Sequence, residues 1–250
     1  MKLAIITVCF NAEKTIRSTL KSIISQKFKD YEFIVVDGGS TDNTLNILNE
    51  YKNYIDIKIS EPDQGIYHAM NKAIALSSSE WLVFMNADDV FYSDDVLKEI
   101  FSFNLNKYNL VIGDYNDGRG DRKALNLNKN TLLYGMPTTH QSIIFRKKDY
   151  FYNLKYKIAG DYDYLWQYFN SEDFNTFYYD KKISKINING ISREKRILNS
   201  LEFYKISQDY SPSPINFIYF ILRIISNELA IRTPYFYEYV KKFTRRNRGR

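Results

Sequence analysis

Short apolar runs alternate, along the first half of the chain, with stretches in which apolar residues recur three and four positions apart. Lys2–Val8, Glu32–Val36, Ile55–Ile59, Trp81–Met85 and Leu110–Gly113 are compact runs rich in Ile, Val, Leu and Phe, the signature of strands. Between the first two, Ala12–Ser25 places Ile16, Leu20, Ile23 and Ile24 on one helical face, and Asn43–Lys52, Ile66–Leu76 and Asp94–Ser102 read as further helices. Most of the strands are apolar along their length, so both faces must be buried. Strand–helix alternation of this kind predicts an α/β fold, a Rossmann-like, mostly parallel sheet with helices on both faces.

After Asp114 the rhythm changes. Tyr115–Asn128 is polar with glycines in its first half and predicts a loop or hairpin; Ser142–Arg146 reads as a strand and Asp161–Phe169 as a helix. Phe174–Tyr179 and Ile183–Ile188 read as two more strands. From Arg193 the pattern is helical, broken into three helices by Pro212, Pro214 and Pro234, so the chain divides into a body, 1–190, and a helical appendage, 191–250. Within the body, 1–115 and 116–190 form two halves. Ile215–Ile231 is nearly all apolar, with Asn216, Arg223 and Asn227 on one narrow stripe. It is too short, and too interrupted by Arg223, to span a bilayer. It suits a helix lying on a membrane or against a partner, with packing on its own domain as the alternative.

Charge sharpens that reading. The net charge is +6, and residues 241–250 hold six Lys/Arg and no acid. Without them, 29 cations balance 29 acids. A neutral body with a basic tail argues against nucleic acid as a partner and favours an anionic surface contacted through 215–250. The single cysteine, Cys9, excludes an internal disulfide and reads as a small buried thiol; with no leader-like opening segment, the expected location is cytoplasmic, peripheral at most on the inner face of the cytoplasmic membrane.

In an open parallel sheet, ligands bind beyond the carboxyl ends of the strands. Two acidic clusters fall there: Asp37-Gly38-Gly39-Ser40-Thr41-Asp42 after the second strand and Asn86-Ala87-Asp88-Asp89 after the fourth. Asp42 can equally cap the helix that follows. Adjacent carboxylates such as Asp88 and Asp89 cost energy at a strand end unless a cation or donors offset them, a need that a hard divalent ion with bound phosphates would meet. Asp161 and Asp163 lie two apart on one helix, so only one can face a cleft; Asp161 can alternatively cap that helix.

The segments IITVCFNAEKTIRSTLKSIISQ, VVDGGSTDNT and EPDQGIYHAMNKAIALSSSEWLVFMNADD, with the shorter THQSIIF and IAGDYDYL, resemble family 2 glycosyltransferases with the GT-A fold, of the type that builds bacterial polysaccharides. The resemblance implies transfer of a hexose or N-acetylhexosamine from a UDP-sugar, with inversion, to a glycan or lipid-linked acceptor. It implies that Asp37 contacts uracil, that Thr7 and Phe10 frame the nucleotide pocket, and that Asp63–Tyr67 with Asn71 and Lys72 line it. Asn86, Ala87 and Asp88 occupy the Asp-x-Asp motif that holds Mn²⁺ or Mg²⁺ on the diphosphate, and Asp161 falls on the base. Asn86 departs from the usual Asp, which Asp89 could compensate; His68 stands where Asp is frequent. His140 could approach metal or acceptor, or serve as a hydrogen-bonded structural histidine. Two rivals follow from other classes. A sugar-phosphate nucleotidyltransferase would need a glycine-rich loop after the first strand, where Cys-Phe-Asn-Ala-Glu-Lys stands instead. A non-catalytic glycan-binding or assembly subunit draws its support from Asn86 and His68.

Overall fold

The computed structural model describes residues 1–187 and 195–232. Nine strands form one sheet in the order β3-β2-β1-β4-β8-β6-β9-β5, with β7 paired to β6. Strands β1 (Leu3–Cys9), β2 (Tyr31–Asp37), β3 (Ile57–Ser60) and β4 (Trp81–Phe84) run parallel, so their carboxyl ends share one edge. Alternate residues of each strand feed two cores. On one face Ile5, Phe33 and Val83 meet α1 (Ile16–Ile24), α2 (Thr44–Glu50) and α4 (Val96–Ile100). On the other, Ile6, Ile34 and Phe84 meet α3 (Ile66–Leu76) and α6 (Gly160–Phe169). The expectation of helices on both faces therefore holds, for the reason given: the central strands have no solvated side.

The sequence rhythm misleads in two places. β8 (Ile143–Arg146) is as apolar as its neighbours yet runs antiparallel to both β4 and β6 (Leu110–Asn116), because burial on two faces selects apolar residues whatever the strand direction. The two strands expected at 174–179 and 183–188 are one strand, β9 (Thr176–Lys185). Its polar Asp180-Lys181-Lys182 stretch is a bulge rather than a turn: Gly113 pairs with Tyr179 and Asp114 with Lys182. Ile188, at the end of the second expected strand, lies outside the described residues. The polar stretch after β6 does turn back as a hairpin, through β7 (Asp121–Arg122). It is followed by a short helix, α5 (Lys129–Tyr134), which the pattern did not announce; Asn128 caps it by accepting the Thr131 N–H at 3.0 Å. A two-residue strand, β5 (Val90–Phe91), closes the sheet against β9.

Two helices complete the described chain, α7 (Arg196–Tyr210) and α8 (Pro214–Arg232), packed along each other and on the body. Pro212 and Pro214 separate them as expected; Arg193, Pro234 and the basic tail lie outside the described residues. Among the described residues, no helix is long and apolar enough to cross a membrane.

Candidate active site

Topology assembles the site. β4 ends at Phe84 and delivers Asn86–Asp89 to the carboxyl edge. β8, running the other way beside it with Val83 opposite Ile144, begins at that same edge, and the turn just before it carries His140. The first turn of α6 brings Asp161 to the same place. The His140 ring sits between them: Nε2 is 3.1 Å from Asn86 Nδ2, and Nδ1 is 3.6 Å from Asp161 Oδ2. The Asn86 amide N–H can only donate, so it takes Nε2 as acceptor, and Nδ1 is the nitrogen turned to Asp161. Asn86, 54 residues before His140, and Asp161 on a later helix thus converge on one imidazole.

Asn86 spends one end of its amide on His140 and leaves Oδ1 buried without a partner. A buried acceptor of this kind costs roughly 1–3 kcal/mol unless something arrives to use it. Asp88 is exposed beside it, its carboxyl pKa raised by the desolvating loop and pulled back in part by His140. Among the described residues, no three His, Cys, Asp or Glu side chains gather to cage a metal alone. Mn²⁺ or Mg²⁺ held by one carboxylate and substrate phosphates needs no such cage, and the pair Asp88 carboxylate and Asn86 Oδ1 fits that mode. Asp89 turns away from this opening. It is buried, accepts hydrogen bonds from Gln141 Nε2 and, at 3.0 Å, from the Asn187 N–H, and burial followed by the Asp88 charge pushes its pKa up to about 7.

The two carboxylates of α6 face opposite ways. Asp161 looks to His140 and accepts its neighbour Tyr162 N–H at 2.9 Å, and it is the second residue of the helix rather than its cap. Asp163 is buried on the other side against Gln167 and Tyr210, its pKa raised chiefly by burial.

Several expected pocket residues are bound up inside the protein. Asp37 is fully buried; its carboxylate accepts from the Gly39 and Ser40 N–H groups at 3.1 and 3.0 Å, from Ser60 Oγ at 2.8 Å and from Ser40 Oγ. It organises the 38–40 loop and lies against the buried Cys9 thiol, whose pKa burial and Asp37 push up. Thr7 is buried too and ties β1 to the Met85 carbonyl at 2.8 Å. Tyr67 crosses to the second half, donating to the Ile158 carbonyl at 2.6 Å, with its ring where a side chain on Gly160 would collide at 2.7 Å. Both ends of the Asn71 amide bond the Tyr152 backbone at 2.8 Å. Lys72 pairs with Glu61 at 2.6 Å. Phe10 remains open to solvent, and Asp63 lies over Gly38, which has no Cβ to block it. His68 Nδ1 accepts the Gln64 N–H at 3.3 Å. Asp42 accepts the Thr44 N–H at 2.9 Å at the start of α2, as a capping residue does.

Two supporting residues lie where no motif pointed. Glu202 of α7, buried, accepts the N–H groups of Lys157, Ile158 and Ala159 at 2.8–2.9 Å, fixing the turn that leads into Asp161. Arg223 of α8 donates to the Tyr134 carbonyl on the approach to His140, with its guanidinium 4.0 Å from the centre of the Phe203 ring. Arg223 was marked in the sequence by a charge inside an apolar helix; Glu202, on a mixed polar helix, carried no mark.

Curated relatives include the PGL/p-HBAD biosynthesis glycosyltransferase of Mycobacterium tuberculosis, 30% identical over 74% of this chain and 76% of its own length. Another is the poly-beta-1,6-N-acetyl-D-glucosamine synthase of Staphylococcus epidermidis, 31% identical over 45% of this chain and 28% of that one. Among solved structures, S. aureus TarS 1-349 in complex with UDP superposes with a TM-score of 0.65 at 20% identity, covering 94% of this chain and 74% of that one. Glucosyl-3-phosphoglycerate synthase of M. tuberculosis, with Mn²⁺, UDP and glucosyl-3-phosphoglycerate, gives 0.61 at 15% identity, covering 85% and 81%. These structures share the fold. The family model for glycosyl transferase family 2 matches residues 4–182, and the chain belongs to that family.

Proposed function

We propose that this glycosyltransferase moves a hexose or N-acetylhexosamine from a UDP-sugar to a glycan or lipid-linked oligosaccharide in cell-surface polysaccharide synthesis, inverting the anomeric centre. The observation that carries the reading is the His140 bridge between Asn86 on the donor side and Asp161 on the acceptor side. UDP with Mn²⁺, and UDP-GlcNAc, occupy neighbours of the same fold, which supports the donor class.

Asp161 accepts the proton of the acceptor hydroxyl as that oxygen bonds the anomeric carbon; the bond from that carbon to the diphosphate breaks, and the diphosphate leaves with the electron pair. The attack comes from the face opposite the leaving group, so an α-linked donor gives a β-glycoside. His140 holds the Asp161 carboxylate toward the cleft. Asp88 and Asn86 Oδ1 would hold Mn²⁺ or Mg²⁺, which supplies charge neutralisation to the departing diphosphate. Phe10 and Asp63 stand at the open mouth as the nucleotide's contacts, while Thr7, Asp37, Tyr67 and Asn71 shape that mouth from behind.

The test is a panel of UDP- and GDP-sugars with and without Mn²⁺, read by thermal shift and by slow donor hydrolysis. A ligand of the folded state raises apparent stability by about 2.7 kcal/mol at a hundred times its Kd. UDP-sugars should shift the melt only with the metal. A GDP preference would change the donor, and no hydrolysis of any donor would favour the non-catalytic alternative.

A further inference from the structure

α8 is built inside out. Its polar residues Asn216 and Arg223 face the protein: Asn216 is buried and donates to Gln208 Oε1 and the Ser211 carbonyl at 2.9 and 2.8 Å, and Arg223 reaches the Tyr134 carbonyl. The opposite side presents Ile218, Ile221, Leu222 and Ile225, between 38% and 56% exposed, flanked by Phe217 at 52%. These positions repeat at three and four residues, so they form one continuous apolar strip. A patch of this kind on a polar-anchored helix marks a surface that something covers.

We propose that this strip docks on an anionic lipid surface. The charge distribution chooses the occupant. Ten residues carrying six Lys/Arg and no acid end the chain, while the preceding 240 are balanced at 29 cations and 29 acids. A second copy would bring another cationic tail and no acidic surplus to receive it. An anionic bilayer receives both the apolar strip, at the depth of its headgroups, and the tail. Tyr204, Phe217 and Phe220, with ring centroids 5.3–6.2 Å apart, add the aromatic cluster that suits such an interface.

Docking has a consequence that rests on the proposed transfer reaction. The inner side of the same helix pair grips both catalytic approaches, Glu202 the 157–159 turn before Asp161 and Arg223 the chain before His140. A docked α8 therefore holds the acceptor side of the cleft at the membrane, which favours a lipid-anchored acceptor over a free glycan.

The experiment is co-sedimentation of the full chain with phosphatidylcholine vesicles, with and without phosphatidylglycerol, beside sedimentation equilibrium without lipid. The double variant Ile218→Glu, Leu222→Glu alters only the outer strip; a second variant changes Lys241, Lys242, Arg245 and Arg246 to Gln. Wild type should bind anionic vesicles at low salt and release as salt rises. The strip variant should lose tenfold or more, and the tail variant about a hundredfold or more, with melting temperatures unchanged. Failure of wild type to bind, or undiminished binding by both variants, overturns the proposal. So does a wild-type dimer that the strip variant dissociates. Donor hydrolysis in the same samples keeps the two readings apart: hydrolysis without vesicle binding sinks docking alone, and vesicle binding without hydrolysis sinks the transfer reading alone.

Discussion

The two ends of the parallel strands are built on opposite terms. At the amino end, Glu32 is buried, and one of its oxygens, Oε1, accepts from Ser77 Oγ, the Ser78 and Ser79 N–H groups and Ser79 Oγ, all within 2.6–2.9 Å. The nearby open depression of about 600 Å³ is lined by Glu80 and Arg146, already paired with each other, and Glu80 also pairs with Lys2. At the carboxyl end, Asn86 Oδ1 is buried with no partner, Asp88 stands open, and Asp161 accepts one backbone N–H, from Tyr162 at 2.9 Å, and faces an imidazole 3.6 Å away. Charged groups occur at both ends. What differs is whether particular groups are already paired: Glu32, Glu80 and Arg146 are, and stabilise, whereas Asn86 Oδ1 has no partner and Asp88 stands open to bind.

That contrast predicts a double dissociation, in which changes at the open groups Asp161 and Asp88 cost function without stability and changes at satisfied carboxylates such as Glu32 do the reverse. The largest effect belongs to Asp161→Asn. Size is kept and no buried partner is lost, so the melt should stay put while transfer falls by roughly 10²–10⁴, the usual worth of a positioned general base. Asp163→Asn, facing Gln167 and Tyr210, should leave transfer near normal. Initial rates beside melting curves decide the matter, and the reverse pattern would make Asp163 the base instead.

Next comes Asp88→Ala. An exposed carboxylate is removed, so the unliganded melt should not move, but the Mn²⁺-dependent shift given by UDP should vanish. At a hundred times the wild-type Kd that is a loss of about 2.7 kcal/mol of ligand stabilisation. A titration in which UDP with saturating Mn²⁺ binds wild type and variant alike would break the comparison at its functional end. Asp37→Ala tests the distinction within the carboxyl end itself, because Asp37 ends β2 yet is already satisfied. Its carboxylate is spent on the 38–40 loop and Ser60, so the substitution should lower the unfolding free energy by roughly 1–3 kcal/mol before any ligand is added.

How far the sequence could be read follows the same division. Strand ends, the Asn86–Asp89 cluster and the α6 carboxylates were legible because each is a local pattern, and parallel strands put their ends together without further information. Thr7, Tyr67 and Asn71 were matched as pocket residues, yet their partners, Met85, Ile158 and Tyr152, lie 78 to 91 positions away and no local pattern announces them. Glu202, on a mixed polar helix, was invisible, and Arg223 was legible only in part: a charge on an apolar helix says that it needs a partner, not where the partner is. The direction of β8 and the bulge in β9 depend on neighbours rather than on the strand's own composition.

The smallest effect, and the cleanest test of the amino end, is Glu32→Gln. The amide keeps an acceptor oxygen but no charge, so four donors lose a charge-assisted partner, and unfolding free energy at neutral pH should fall by about 1–2 kcal/mol. For a domain of this size that is a drop of roughly 2–8 °C in Tm. Activity should be untouched, because Ser77–Ser79 lie at the far edge from His140. The pH dependence identifies the cause. Burial alone would raise the Glu32 pKa, but the serine donors overcome it and hold the folded value below the ordinary one. A lowered folded pKa means the stabilisation is present above the unfolded Glu value, about 4.3, and is lost as pH falls through the folded value. Wild type and Glu32→Gln should therefore differ by a constant margin between about pH 6 and 8 and converge below about pH 4. A margin that persists unchanged into acid would mean that the loss comes from packing rather than charge, and the amino end would then owe its stability to something other than a satisfied carboxylate.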